Sequence, residues 1–139
     1  MMMHTHTPRV LVVDDEAGIR LFADRVLREA GYEVVMASSG PDAVRTVEHE
    51  RPFDVFVVDL MMPEMRGDEL ARQLWRRNPD VKVLYFTGFS DRLFDEKLTL
   101  GENEAFIDKP VTITGLREAV SLLLFGHIEG PVPRSTRIA

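Results

Sequence analysis

The sequence predicts an α/β fold, a doubly wound parallel sheet of five strands with helices on both faces. Three observations predict it. Short apolar, β-branched runs alternate with helical stripes along the whole chain, and parallel strands require such crossovers. Four of those runs end in polar residues able to do chemistry, at Asp14-Asp15, Asp59, Thr87 and Asp108-Lys109; in parallel sheets, sites form at strand carboxyl ends. Finally, 139 residues with 45% hydrophobic and 29% charged side chains suit one domain with a real core.

The first strand is Arg9-Val10-Leu11-Val12-Val13, running into the acids Asp14-Asp15-Glu16. Ile19, Phe22, Ala23, Val26, Leu27 and Ala30 then recur at helical spacing, with Gly31 placed for a C-cap. Tyr32 to Ala37 reads as the second strand. Ser38-Ser39-Gly40-Pro41 turns the chain into a helix carrying Ala43, Val44 and Val47, and Arg51-Pro52 stops it. Val55 to Val58 is a continuous apolar run, the mark of a buried parallel strand. It delivers Asp59 into the loop Leu60-Met61-Met62-Pro63-Glu64-Met65-Arg66-Gly67. Leu70, Ala71, Leu74 and Trp75 mark a third helix, closed by Asn78-Pro79. Val81 to Phe86 is the fourth strand, ending at Thr87-Gly88. Ser90 to Leu100 is expected to be the fourth helix, with the weakest stripe of the set. Ala105-Phe106-Ile107 makes a short fifth strand before Asp108-Lys109-Pro110. Leu116, Ala119, Val120, Leu123 and Leu124 form the last helix, capped by Thr112 or Thr114 and ended by Gly126.

Charge and composition exclude several function classes. A net charge of −6 makes the domain a poor partner for nucleic acid or an anionic membrane. With no Cys, there are no disulfides, thiolate metal sites or cysteine nucleophiles. No apolar run approaches membrane-spanning length and the amino terminus has no apolar signal region, so the chain reads as cytoplasmic.

Taken singly, the polar strand ends have ordinary roles: Asp14-Asp15 as acids opening a helix, Thr87 as a strand terminator, Lys109 as a solvated loop lysine. Together they make a reaction centre. Asp14, Asp15 and Asp59 bring carboxylates close enough to raise one another's pKa unless a cation joins them. An oxygen-only set favours a hard divalent ion, and few protein ligands suit Mg²⁺. A carboxylate is a competent nucleophile toward phosphorus once charge is neutralised. Lys109 and Mg²⁺ supply that charge and Thr87 a hydroxyl for a phosphoryl oxygen, which points to phosphoryl acceptance by Asp59.

With these residues in this order, Val10 to Glu16, Asp59 to Gly67, Thr87-Gly88 and Phe106 to Pro110, the chain resembles the receiver domains of two-component response regulators from about Arg9 to Phe125. The resemblance implies the flavodoxin-like (βα)5 architecture with strand order 2-1-3-4-5. It implies Asp59 as phosphoacceptor, with Asp15, Asp59 and the Met61 carbonyl holding Mg²⁺ and Asp14 acting mainly through water. Thr87 and Lys109 would bind the phosphoryl group, and the Lys109-Pro110 bond would be cis, as in the family. The family's switch couples Thr87 to the aromatic here supplied by Phe106, which would turn inward. That reshapes a face of the fourth helix, fifth strand and last helix. Phe106 has no phenolic hydroxyl to donate, and Gly101 to Ala105 departs from the family's usual pattern.

The expected organisation is a leader over 1–8, a receiver domain over 9–125 and a short mobile tail over 126–139 without an output domain, either a stand-alone receiver or one excised from a larger protein such as a hybrid sensor kinase. Such a chain is a phosphoacceptor switch rather than an enzyme, catalysing only its own phosphorylation and dephosphorylation. The resemblance implies a histidine kinase or histidine phosphotransfer protein as donor and a downstream protein on the output face. Self-association into a homodimer through the last helix stays open, since its apolar residues are first needed for the core. Other classes are a phosphorylation-independent interaction module and a Mg²⁺-dependent phosphatase. The phosphatase usually needs a second acid two residues after its nucleophile, where this chain has Met61. A nucleotide-binding relative would need a phosphate-cradling glycine loop after Val13, which is not there.

Overall fold

The protein's structure, a computed structural model, describes residues 6–88 and 103–126, together with the backbone of 137–138. Its sheet comprises β1 (Arg9–Val13), β2 (Glu33–Ala37), β3 (Val55–Asp59), β4 (Lys82–Thr87), β5 (Glu104–Asp108) and β6 (Arg137–Ile138). The strand order is β2-β1-β3-β4-β5-β6. The first five strands are parallel, in the expected order 2-1-3-4-5. β6 is a difference: its residues, expected within a tail, pair antiparallel with Ala105 and Phe106 of β5.

The helices are α1 (Ala17–Glu29), α2 (Gly40–His49), α3 (Gly67–Trp75) and α4 (Ile113–Phe125). The helix expected over Ser90 to Leu100 lies outside the described residues. Alternate strand residues face opposite sides, so two cores form. Leu11, Phe56, Val58, Val83 and Tyr85 pack with Ala43 and Val47 of α2 and Leu70 and Leu74 of α3. Val10, Val12, Val55, Val57 and Leu84 pack with Ala23 and Leu27 of α1 and Leu116, Ala119 and Val120 of α4. Covered on both faces, β1 and β3 are buried throughout, as their unbroken apolar runs require.

Local chemistry sets the helix ends. Ser39 accepts a hydrogen bond from the Asp42 N–H at 3.1 Å, with Pro41 in the first turn of α2. Thr112 caps α4 by accepting from the Gly115 N–H at 2.9 Å, which decides between the two candidate threonines. Gly126 ends α4 in the left-handed conformation, φ 77°.

At the amino ends of the strands, Arg9 does more than open β1. Its side chain is 3% exposed, with Nε 3.1 Å from Glu33 and Nη2 2.7 Å from Glu50. Nη1 donates to the carbonyls of Arg51 and Pro52, and the guanidinium lies 4.6 Å over the Phe53 ring. The group ties β1, β2, the end of α2 and the entry to β3 together. Because both glutamates are partly hydrated, Arg9→Ala is expected to cost about 2–3 kcal/mol, below the loss for a fully buried pair. Urea unfolding checks this, and a loss under about 1 kcal/mol would mean the clamp contributes no more than a surface ion pair.

Candidate functional site

Register brings the polar strand ends together. Val13 pairs with Val58, so Asp14 and Asp59 leave neighbouring strands side by side. Asp59 pairs with Phe86, one residue before Thr87, and Thr87 pairs with Asp108, one residue before Lys109. The Lys109 N–H donates to the Thr87 carbonyl at 2.8 Å, tying the loop after β5 to the end of β4. The peptide between Lys109 and Pro110 is cis.

Asp14, Asp15 and Asp59 each place a carboxylate oxygen within 4.8 Å of the others. Lys109 Nζ stands 3.5 Å from Asp59 Oδ1, 3.7 Å from Asp14 Oδ2 and 3.6 Å from Glu16 Oε1. Asp59 Oδ1 also accepts from the Met61 N–H at 3.2 Å. Asp14, Asp59 and Thr87 are buried, whereas Asp15 is exposed. Burial and then the Asp14 charge push the Asp59 carboxyl up to about 6, against the pull of Lys109. The Asp14 carboxyl is raised as well, chiefly by burial. Burial alone would lower Lys109, but Asp14, Asp59 and Glu16 reverse this and hold its ammonium charged.

The donor set fits a hard cation. Asp14 Oδ1 accepts from the Glu16 N–H at 2.9 Å, yet its Oδ2 is buried without a hydrogen-bond partner among the described residues. Carboxylate oxygens clustered at this spacing, one of them unsatisfied, are the ligands that Mg²⁺ takes.

The loop after β3 depends on Gly67. Its N–H donates to the Leu60 carbonyl at 2.8 Å, folding the loop back onto β3. A Cβ here would stand 2.5 Å from the Asp59 carbonyl oxygen and 2.9 Å from Leu60 Cα, both backbone atoms with little room to move. Gly67→Ala is therefore expected to cost about 2–3 kcal/mol in urea unfolding; an unchanged midpoint would mean the loop relaxes freely.

All the residues picked from the sequence at strand ends converge at one end of the sheet. Phe106 is 2% exposed and belongs to the apolar cluster with Leu70, Leu74 and Tyr85, so its ring is inside the core in this structure. Two contributors escaped the sequence reading. Glu16 shares Lys109 with the aspartates, a role whose only sequence trace is its place in the acidic triplet. Arg20, on the first turn of α1, donates to the Asp14 carbonyl at 2.6 Å and braces the loop.

No helix among the described residues is long and apolar enough to cross a membrane. A family model of the response regulator receiver domain matches residues 10–121. The chain is 34% identical over 116 residues to the sensor kinase CckA of Brucella abortus, spanning 83% of this chain and 12% of that protein. It is 30% identical over 116 residues to the response regulator receiver protein CpdR of the same organism, covering 84% and 96% of the two chains. Among solved structures, the chemotaxis response regulator CheY4 of Vibrio cholerae superposes with a TM-score of 0.75 at 29% identity, over 86% of this chain and all of that one. The family match and the strand-end geometry agree, and the chain belongs to the response regulator receiver domains of two-component signalling.

Proposed function

We propose that this receiver accepts a phosphoryl group on Asp59 from a phosphohistidine of a histidine kinase or phosphotransfer protein, in a Mg²⁺-dependent step. The observation that carries the reading is the Asp59 carboxylate at the end of β3, 3.5 Å from Lys109 and beside two more aspartates. An Asp59 oxygen forms a bond to phosphorus as the phosphorus–nitrogen bond to the donor imidazole breaks; the imidazole keeps the electron pair and takes a proton from solvent. Asp59 must be ionised to attack, and a carboxyl at about 6 is mostly ionised at neutral pH.

Lys109 stabilises negative charge on the transferring group, and Thr87 offers its hydroxyl to a phosphoryl oxygen. Asp15, Asp59 and the Met61 carbonyl would hold Mg²⁺, with Asp14 acting mainly through water; the ion would supply positive charge to offset the carboxylates and the transferring group. The chain accelerates only its own phosphorylation and dephosphorylation. Phosphorylation favours the conformer in which Thr87 is drawn to the phosphoryl group. Phe106 couples this to the surface of β5, α4 and the segment over 90–100, where a downstream protein docks.

Intact mass after incubation with Mg²⁺ and acetyl phosphate tests the acceptor chemistry, with the Asp59→Asn variant and an EDTA control alongside. Gain of one phosphoryl group only in the unmutated, Mg²⁺-loaded protein is expected. No gain from a folded protein would favour a phosphorylation-independent interaction module.

A further inference from the structure

Away from Asp59, a cavity of about 460 Å³ opens between the amino ends of the strands and α4. Its walls include Pro8 and Tyr32, which precede β1 and β2, and Arg117, Glu118, Ser121 and Phe125 of α4. Glu118 stands out among them. It is 6% exposed, and its Oε1 is buried with no hydrogen-bond partner among the described residues. Arg117, the neighbouring residue on the same wall, is exposed and does not satisfy that oxygen. A buried carboxylate oxygen left without a hydrogen bond is costly in the free protein. It becomes favourable when a cation enters and donates hydrogen bonds to it. The volume is in the range of small-ligand sites, and Pro8, Tyr32 and Phe125 offer apolar surface beside the charge.

We propose that this cavity binds a small organic cation, its ammonium or guanidinium group paired with Glu118 and its alkyl body against Pro8, Tyr32 and Phe125. The site lies apart from the phosphorylation chemistry and does not depend on it: no residue of this wall belongs to the Asp14, Asp15 and Asp59 cluster.

The test is a titration of the full ¹⁵N-labelled chain with agmatine, with N-butylurea as a neutral control of similar shape, read by amide chemical shifts. Agmatine is expected to give saturable shifts centred on Gly31, Tyr32, Glu118 and Ser121, and N-butylurea none. Glu118→Gln and Glu118→Met should each weaken agmatine by about tenfold or more, as loss of a charge-assisted bond predicts. In the absence of ligand, Glu118→Met should melt no lower than the unmutated chain. The agmatine and N-butylurea arms on the unmutated chain decide the matter even where a variant fails to fold. Absence of saturable shifts, equal shifts from the neutral control, or a folded Glu118 variant that binds as tightly would each overturn the proposal.

Discussion

Asp59→Asn is expected to abolish phosphoryl uptake and, at the same time, to raise the neutral-pH stability of the metal-free protein. Both effects come from one carboxylate. It is the proposed nucleophile, and an amide in its place cannot form the acyl phosphate. It also carries a folded-state pKa of about 6 against 3.8 for an ordinary aspartate, because burial and Asp14 outweigh Lys109. The sign follows from linkage: the folded form holds this proton more tightly than the unfolded chain does. Metal-free stability therefore declines as pH rises from about 4 to about 6, and stays lower above that window. The full shift corresponds to about 3 kcal/mol, and partial solvent screening reduces it to about 1–2 kcal/mol. Asp14, raised in the same direction, adds to the decline.

The variant should accordingly melt roughly 3–8 °C higher than the unmutated protein at pH 7 in EDTA. At pH 4, where Asp59 is protonated, the gap should close. Mg²⁺ should narrow it from the other side, since an ion held at about one hundred times its Kd adds roughly 2.7 kcal/mol to the protein that binds it. Melting curves at both pH values, with and without Mg²⁺, check all three statements. A difference between the proteins that is the same at pH 4 and pH 7 would show that Asp59 is not the strained carboxylate.

Lys109→Ala should slow phosphoryl uptake by about 10²- to 10³-fold at saturating Mg²⁺, the usual consequence of removing one preorganised charge from a reacting centre. The lysine faces Asp14, Glu16 and Asp59 at 3.5–3.7 Å, so its removal leaves those acids without their shared protein cation. Lys109 also lowers the Asp59 pKa. Without it the carboxyl titrates higher still, and in metal-free protein less of the nucleophile is ionised at pH 7. Initial rates of phosphoprotein formation, read by intact mass, separate this from the all-or-none loss at Asp59. A rate within about threefold of the unmutated protein would place the ammonium outside the reacting centre.

Much of this site was legible because a parallel sheet turns sequence position into spatial position. Asp14, Asp59, Thr87 and Lys109 each follow an apolar run, and the in-register pairs Val13 with Val58, Asp59 with Phe86 and Thr87 with Asp108 then leave them no alternative but the carboxyl end of the sheet. Interactions across elements were harder to see. Arg9 reads as an ordinary first residue of a strand, and nothing near it in sequence announces Glu33, Glu50 and Phe53 as its partners. The Pro63 to Gly67 stretch reads as a loop, but the need for glycine arises from the Asp59 carbonyl, eight residues earlier along the chain.

The sequence by itself determined the α/β class, the strand order through its resemblance, and the set of acids, hydroxyl and lysine that meet at the carboxyl end of the sheet. Period, caps and strand-end chemistry are local properties, and the chain carries them residue by residue. Only the tertiary structure decided that Glu16 shares Lys109, that Phe106 lies within the core, that Arg137–Ile138 add a strand to β5, and that Glu118 is buried beside a cavity with one oxygen unpartnered among the described residues. Each of these depends on which distant surfaces pack together. Desolvation and Coulomb energy are set by that packing and have no local signature in the sequence.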